Sequence, residues 1–71
     1  MAVYRIYLVH PEGRLEAGES FYCRSDPEAV ARFLGVTRPG PRQELWQGGR
    51  WVAFRPSRSE AHARLAGDES D

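Results

Sequence analysis

"ELWQGGRWVAFR", residues Glu44 to Arg55, sets both tryptophans of a 71-residue chain around a Gly-Gly pair, among arginines. Two glycines between alternating apolar and polar runs read as the two-residue loop of a β-hairpin, since primed turns need positive φ at a central position. Closing the chain on Gly48-Gly49 pairs Gln47 with Arg50, Trp46 with Trp51, Leu45 with Val52, Glu44 with Ala53 and Arg42 with Arg55. Leu45, Val52 and Phe54 then share one face. Trp46, Trp51, Glu44, Arg42 and Arg55 share the other, because side chains in a strand alternate with a period of two.

The amino-terminal half repeats the arrangement. In "AVYRIYLV", Tyr4, Ile6 and Leu8 alternate with Val3, Arg5, Tyr7 and Val9, which predicts a strand with one clean apolar face. "HPEG" follows, with Pro11 at the second turn position and Gly13 where positive φ is needed, a type I turn with a bulge. A second strand runs from Arg14 to about Arg24, with Phe21 and Cys23 on one side and Ser20, Tyr22 and Arg24 on the other. Gly18 marks a bulge or twist within it.

"SDPEAVARFLG" predicts the one helix between these hairpins. Ser25 and Glu28 form a capping box, Pro27 suits the first turn, and Gly35 is placed to cap the carboxyl end. Ala29, Val30, Phe33 and Leu34 make its apolar stripe. Beyond Pro56 the composition changes. Ser57 and Glu60 form a second capping box before a short helix over about 59–66, and "GDESD" reads as a frayed end.

These elements predict an α+β fold, ββαββ, in which two β-hairpins form a four-stranded, largely antiparallel sheet with one helix on one face. Residues 1–56 form the domain and 57–71 a carboxy-terminal tail. The expected core is Tyr4, Ile6, Leu8, Phe21, Cys23, Val30, Phe33, Leu34, Leu45, Val52 and Phe54. One helix covers one face, so the other is expected to carry Tyr7, Tyr22, Trp46 and Trp51, bordered by Arg5, Arg24, Arg42 and Arg55. A contiguous exposed patch of this kind marks a contact surface. A directly opposed Trp pair can also act structurally, fixing hairpin register at about 0.2–1 kcal/mol. The tail, with Ala61 and Leu65, offers another cover for the indoles.

Composition narrows the function. The net charge is zero, with ten Arg, no Lys and ten acidic residues. Six Arg face Glu44 alone in residues 32–58, while both ends are net acidic. A basic middle suits an anionic ligand, and internal pairing accounts for it equally well. No run approaches the about 20 apolar residues of a membrane span, and the first run contains Arg5, so a cytoplasmic protein is expected. The lone Cys23 rules out an internal disulfide, and no Cys/His cluster suggests zinc, so neither metal nor other cofactor is expected. His10 and His62 have no acid or thiol at a recognisable spacing, which points away from an enzyme. Self-association as a homodimer suits a chain this small, whose core is marginal. The alternative is a module for single-stranded nucleic acid, stacking bases on Trp46, Trp51, Tyr7 and Tyr22 with arginines on the backbone, against which the zero net charge and the acidic tail speak.

The stretches "YRIYLVHPEGRLEAGESFYCRSDPEAVA" and "ELWQGGRWVAFR" resemble a group of small bacterial proteins, frequent in alphaproteobacteria, whose function is not established. Their pattern is a Tyr-Arg-rich first strand, a turn with Gly, an acidic-capped Ala-rich helix and a closing Glu-Leu-Trp-Gln hairpin. The resemblance spans residues 3 to 55 and is most specific at Glu44 to Gln47 with Gly49-Arg50. It implies a small stand-alone protein with no catalytic residues to carry over. The short helix and the Pro-rich loop 36–42 depart from the pattern. The amino-terminal half also resembles, less closely, the arm-type DNA-binding domain of phage integrases, which is usually more basic and followed by further domains.

Overall fold

The structure is a computed structural model and describes residues 1–61. β1 (Ala2–Val9) and β2 (Leu15–Cys23) form the first hairpin, α1 (Asp26–Val36) follows, and β3 (Arg42–Gln47) and β4 (Arg50–Arg55) form the second. Every neighbouring pair is antiparallel and the spatial order is β2-β1-β3-β4. β2 and β3 flank β1 and point the same way, so the chain between them must cross the sheet. α1 makes that crossing and packs on the face it crosses. A helical turn over 58–61 starts a second, short helix at the limit of the described residues.

The turns form as their residues dictate. Gly13 has φ 90° and donates its N–H to the His10 carbonyl at 2.8 Å. Gly48 has φ 61° and Gly49 is not in the left-handed region, which is the II′ pattern, with glycine first. Ser25 caps α1, its Oγ accepting from the Glu28 N–H at 3.4 Å. The second capping box is reciprocal: Ser57 N–H donates to Glu60 Oε1 at 3.2 Å, and Glu60 N–H to Ser57 Oγ at 3.0 Å.

Three expectations are corrected. α1 runs through Gly35 to Val36, and Thr37 caps it, its N–H and Oγ1 both donating to the Phe33 carbonyl at 3.0 and 2.7 Å. A buried hydroxyl at Thr37 satisfies the end that a glycine would otherwise have closed. Second, the core is Tyr4, Ile6, Phe21, Cys23, Ala29, Phe33 and Leu45, with Ala2, Val30, Val52 and Ala53 packed at its edge. Leu34 and Phe54 are exposed and Leu8 is half-buried. Third, the β3–β4 register shifts between Leu45 and Trp46, so Leu45 pairs with Ala53, Glu44 with Phe54 and Gln43 with Arg55. Val52 is the additional residue. From Ala53 onward the bulge exchanges the two faces of β4, taking Phe54 out of the core and turning Arg55 toward the helix.

With Arg55 turned to the helix, β4 straps it at both ends. Arg50, the first residue of β4, grips Asp26, the first of α1, through Nη1–Oδ2 at 2.8 Å and Nη2–Oδ1 at 2.9 Å. The buried Tyr4 hydroxyl donates to Asp26 Oδ1 at 2.6 Å. Arg55, the last residue of β4, donates from Nε to Thr37 Oγ1 at 3.0 Å and from Nη2 to the Leu34 carbonyl at 3.2 Å. Eleven helical residues and six strand residues span about the same length, roughly 17–20 Å, so both contacts can close at once.

β2 carries the bulge expected at Gly18, where the register against β1 shifts between Arg5 and Tyr7 and leaves Gly18 and Glu19 opposite Ile6. A Cβ on Gly18 would lie 3.1 Å from the Ile6 carbonyl oxygen. Gly18→Ala should therefore destabilise the fold by about 1–3 kcal/mol. Gly35→Ala, with open space at the same position of a helix, should stabilise it by about 0.5–1 kcal/mol. Urea unfolding of the two variants measures both signs.

The Arg50 guanidinium, then the Tyr4 hydroxyl, hold the Asp26 carboxyl down at about 2, below its ordinary 3.8. Its folded pKa is the lower one, so its contribution is full above about pH 4 and disappears as the pH falls to about 2. Acid unfolding of wild type should steepen in that window, and Asp26→Asn should be less stable at neutral pH and lose less stability across it.

Candidate functional site

The face of the sheet opposite α1 is built from rows of paired residues. One row runs Ser20, Arg5, Trp46, Trp51, and the next Ala17, Tyr7, Glu44, Phe54. Leu15, Val9 and Arg42 form a third, and Tyr22 with Val3 lie beyond the first. Antiparallel neighbours stand close enough for such rows to touch. Trp51 and Phe54 pack with ring centroids 5.8 Å apart, and the Arg42 guanidinium lies 4.3 Å over the Phe54 ring. Trp51 is 46% exposed, Tyr22 65% and Leu15 59%, while Tyr7 and Trp46 are half-buried.

Charge on this face is largely paired. Glu44 stands near its centre and is enclosed: Trp46 Nε1 donates to its Oε1 at 3.0 Å and Arg42 Nε to its Oε2 at 3.1 Å. Arg42 also reaches Glu60 through Nη1 at 3.0 Å. Glu60 is held below the usual carboxylate range chiefly by the Ser57 backbone N–H, with Arg42 adding to it. Arg5 is exposed and has no ion-pair partner among the described residues.

The eight candidate residues thus divide. Arg5, Tyr7, Arg42, Trp46 and Trp51 lie together on the open face, with Tyr22 at its β2 edge. Arg24 lies in the bend between β2 and α1, off the strands. Arg55 does not belong to the face at all, because the bulge at Val52 aims it at the end of α1. Phe54 is the member that alternation alone placed in the core. The six-residue strand holds two interleaved apolar sets, and Phe54 joins the open face through its cation–π contact with Arg42 and its ring contact with Trp51, while Arg55 turns to the helix end.

Among the described residues the surface hollows include a larger and a smaller one. The larger, about 660 Å³, lies where the His10–Gly13 turn, the Gly40-Pro41 loop and the 58–61 turn meet. Its ionisable side chains are already engaged, His10 with Glu16 at 3.0 Å and Arg42 with Glu44 and Glu60. The smaller, about 290 Å³, is lined by Tyr7, Leu15, Trp46, Gly48 and Gly49. Cys23 is fully buried. His62 and Leu65 lie outside the described residues. The chain matches no described protein family, no curated protein and no solved structure.

Because Arg55 serves the helix end and not the open face, Arg55→Ala should lower stability by about 1–2 kcal/mol. It should leave any binding by the face unchanged. Chemical unfolding alongside a binding or association assay separates the two effects.

Proposed function

We propose that this is a non-enzymatic interaction protein of the cytoplasm that works through the open face of its sheet, and that the face brings two copies together as a homodimer. The observation that carries the reading is the set of exposed apolar side chains there, Val3, Leu15, Tyr22, Trp51 and Phe54, on the face of the sheet opposite α1. Patches of this kind on small domains mark contact surfaces. Binding instead of catalysis is supported by the placement of the one thiol, Cys23, which is sealed in the core.

The charge pattern favours a protein partner over nucleic acid. Arg42 is already shared between Glu44 and Glu60, Arg55 points away, and an acidic group stands near the middle of the face. A polyanion needs several free cations along its path. A second copy needs none.

Light scattering over a wide concentration range is the test. The mass should rise from monomer to dimer with concentration, and Trp46→Ala with Trp51→Ala should hold the chain monomeric while circular dichroism retains a weakened fold. Outright unfolding of the double variant would assign the indoles to the core. A monomer at every concentration whose tryptophan emission responds to single-stranded oligonucleotide would favour the nucleic-acid reading.

A further inference from the structure

Arg42 ties the open face to the point where the described residues end. Its guanidinium lies 4.3 Å over the Phe54 ring, and its Nη1 holds Glu60 at 3.0 Å. Ala61, the last described residue, follows Glu60 and donates its N–H to the Ser57 carbonyl at 2.9 Å. Residues 62–71 therefore continue from the end of the face where Arg42 pairs with Val9.

Charge divides at the same place. Residues 1–61 hold nine Arg against seven acidic residues, a net charge of +2, while residues 62–71 hold Arg64 against Asp68, Glu69 and Asp71, a net charge of −2. On the open face Arg42 is already shared between Glu44 and Glu60, and Arg5 is exposed with no ion-pair partner among the described residues. Arg5 lies four residues along β1 from Val9, about 13 Å, and Asp68 lies seven residues past Ala61, a reach of up to about 23 Å. A segment tethered at Ala61 meets the face at an effective concentration of about millimolar, so in dilute solution it arrives ahead of a second copy.

We propose that residues 62–71 of the same chain occupy the open face of the monomer, with Asp68, Glu69 and Asp71 at Arg5 and Leu65 against the exposed rings, and that they compete there with a second copy. The competition rests on the reading of the face as a self-association surface. The cover itself does not.

The test keeps the full chain and removes only charge, in the triple variant Asp68→Asn, Glu69→Gln, Asp71→Asn and in Arg5→Gln. In dilute monomer both should lose protection of the two indoles from acrylamide quenching, with circular dichroism unchanged, and added salt should bring wild type toward them. The triple variant should also lower the dimer dissociation constant by about threefold or more, because a larger share of molecules has its face free. Equal quenching of wild type and triple variant would overturn the cover. Loss of protection in the triple variant and not in Arg5→Gln would overturn Arg5 as its seat. Protection of wild type that appears only as concentration rises would assign the cover to a second copy. A chain monomeric at every concentration, with its indoles protected, would overturn the homodimer reading and leave the cover standing.

Discussion

Phe33 is fully buried, and with Ala29 it is the contact on which helix and sheet depend. An eleven-residue helix is shorter than the about 12–15 residues at which isolated helices begin to hold in water. The sheet in turn needs an apolar partner on at least one face. Neither element is stable by itself. Each supplies what the other lacks, at a cluster that also contains Tyr4, Ile6, Phe21, Cys23 and Leu45. The polar straps at Asp26 and Thr37 lie at the two ends of that contact and set the direction in which the helix crosses.

Among the described residues α1 covers one face of the sheet, and on the other face side chains stabilise one another. Glu44 takes the Trp46 N–H and the Arg42 guanidinium, and Arg42 lies over Phe54, which packs on Trp51. These contacts hold the aromatic rings in defined orientations while part of their surface remains in water. Ordered but unburied aromatic surface suits binding, because little side-chain freedom is left to lose on contact.

Much of this was legible in the sequence where one residue type has one local use. Gly13, Gly48, Ser25 and the Ser57–Glu60 pair each announced a turn or cap that formed where expected. The first strand was equally clear, since only one of its faces is apolar throughout. β4 was not. "RWVAFR" offers apolar residues at Trp51, Val52, Ala53 and Phe54, so a shift of one residue costs little in patterning and is decided by long-range contacts: Arg55 with the helix end and Arg42 with Phe54. The helix end was misread for a similar reason. Gly35 carries a local signal, but the Thr37 hydroxyl, two residues on, bonds the Phe33 carbonyl, and a short-range rule does not weigh the two against each other. The open face could be anticipated from a count of helices. Which arginines belonged to it could not, because the bulge turned Arg55 to the helix and Arg24 fell in the bend before α1.

Both bulges fall on the outer strands: Gly18-Glu19 on β2 and Val52 on β4, while β1 and β3 supply the uninterrupted sides of the pairings. Outer strands present unpaired backbone groups to any passing chain, and a local kink makes them poor templates for adding another strand. Glu16 and Glu19 add exposed charge on the β2 side. Edge-wise growth would be open-ended, each added molecule offering a fresh rim to the next. Contact through a broad flat surface saturates after one partner. Placing its irregularities at the perimeter therefore works against edge-wise growth into filaments.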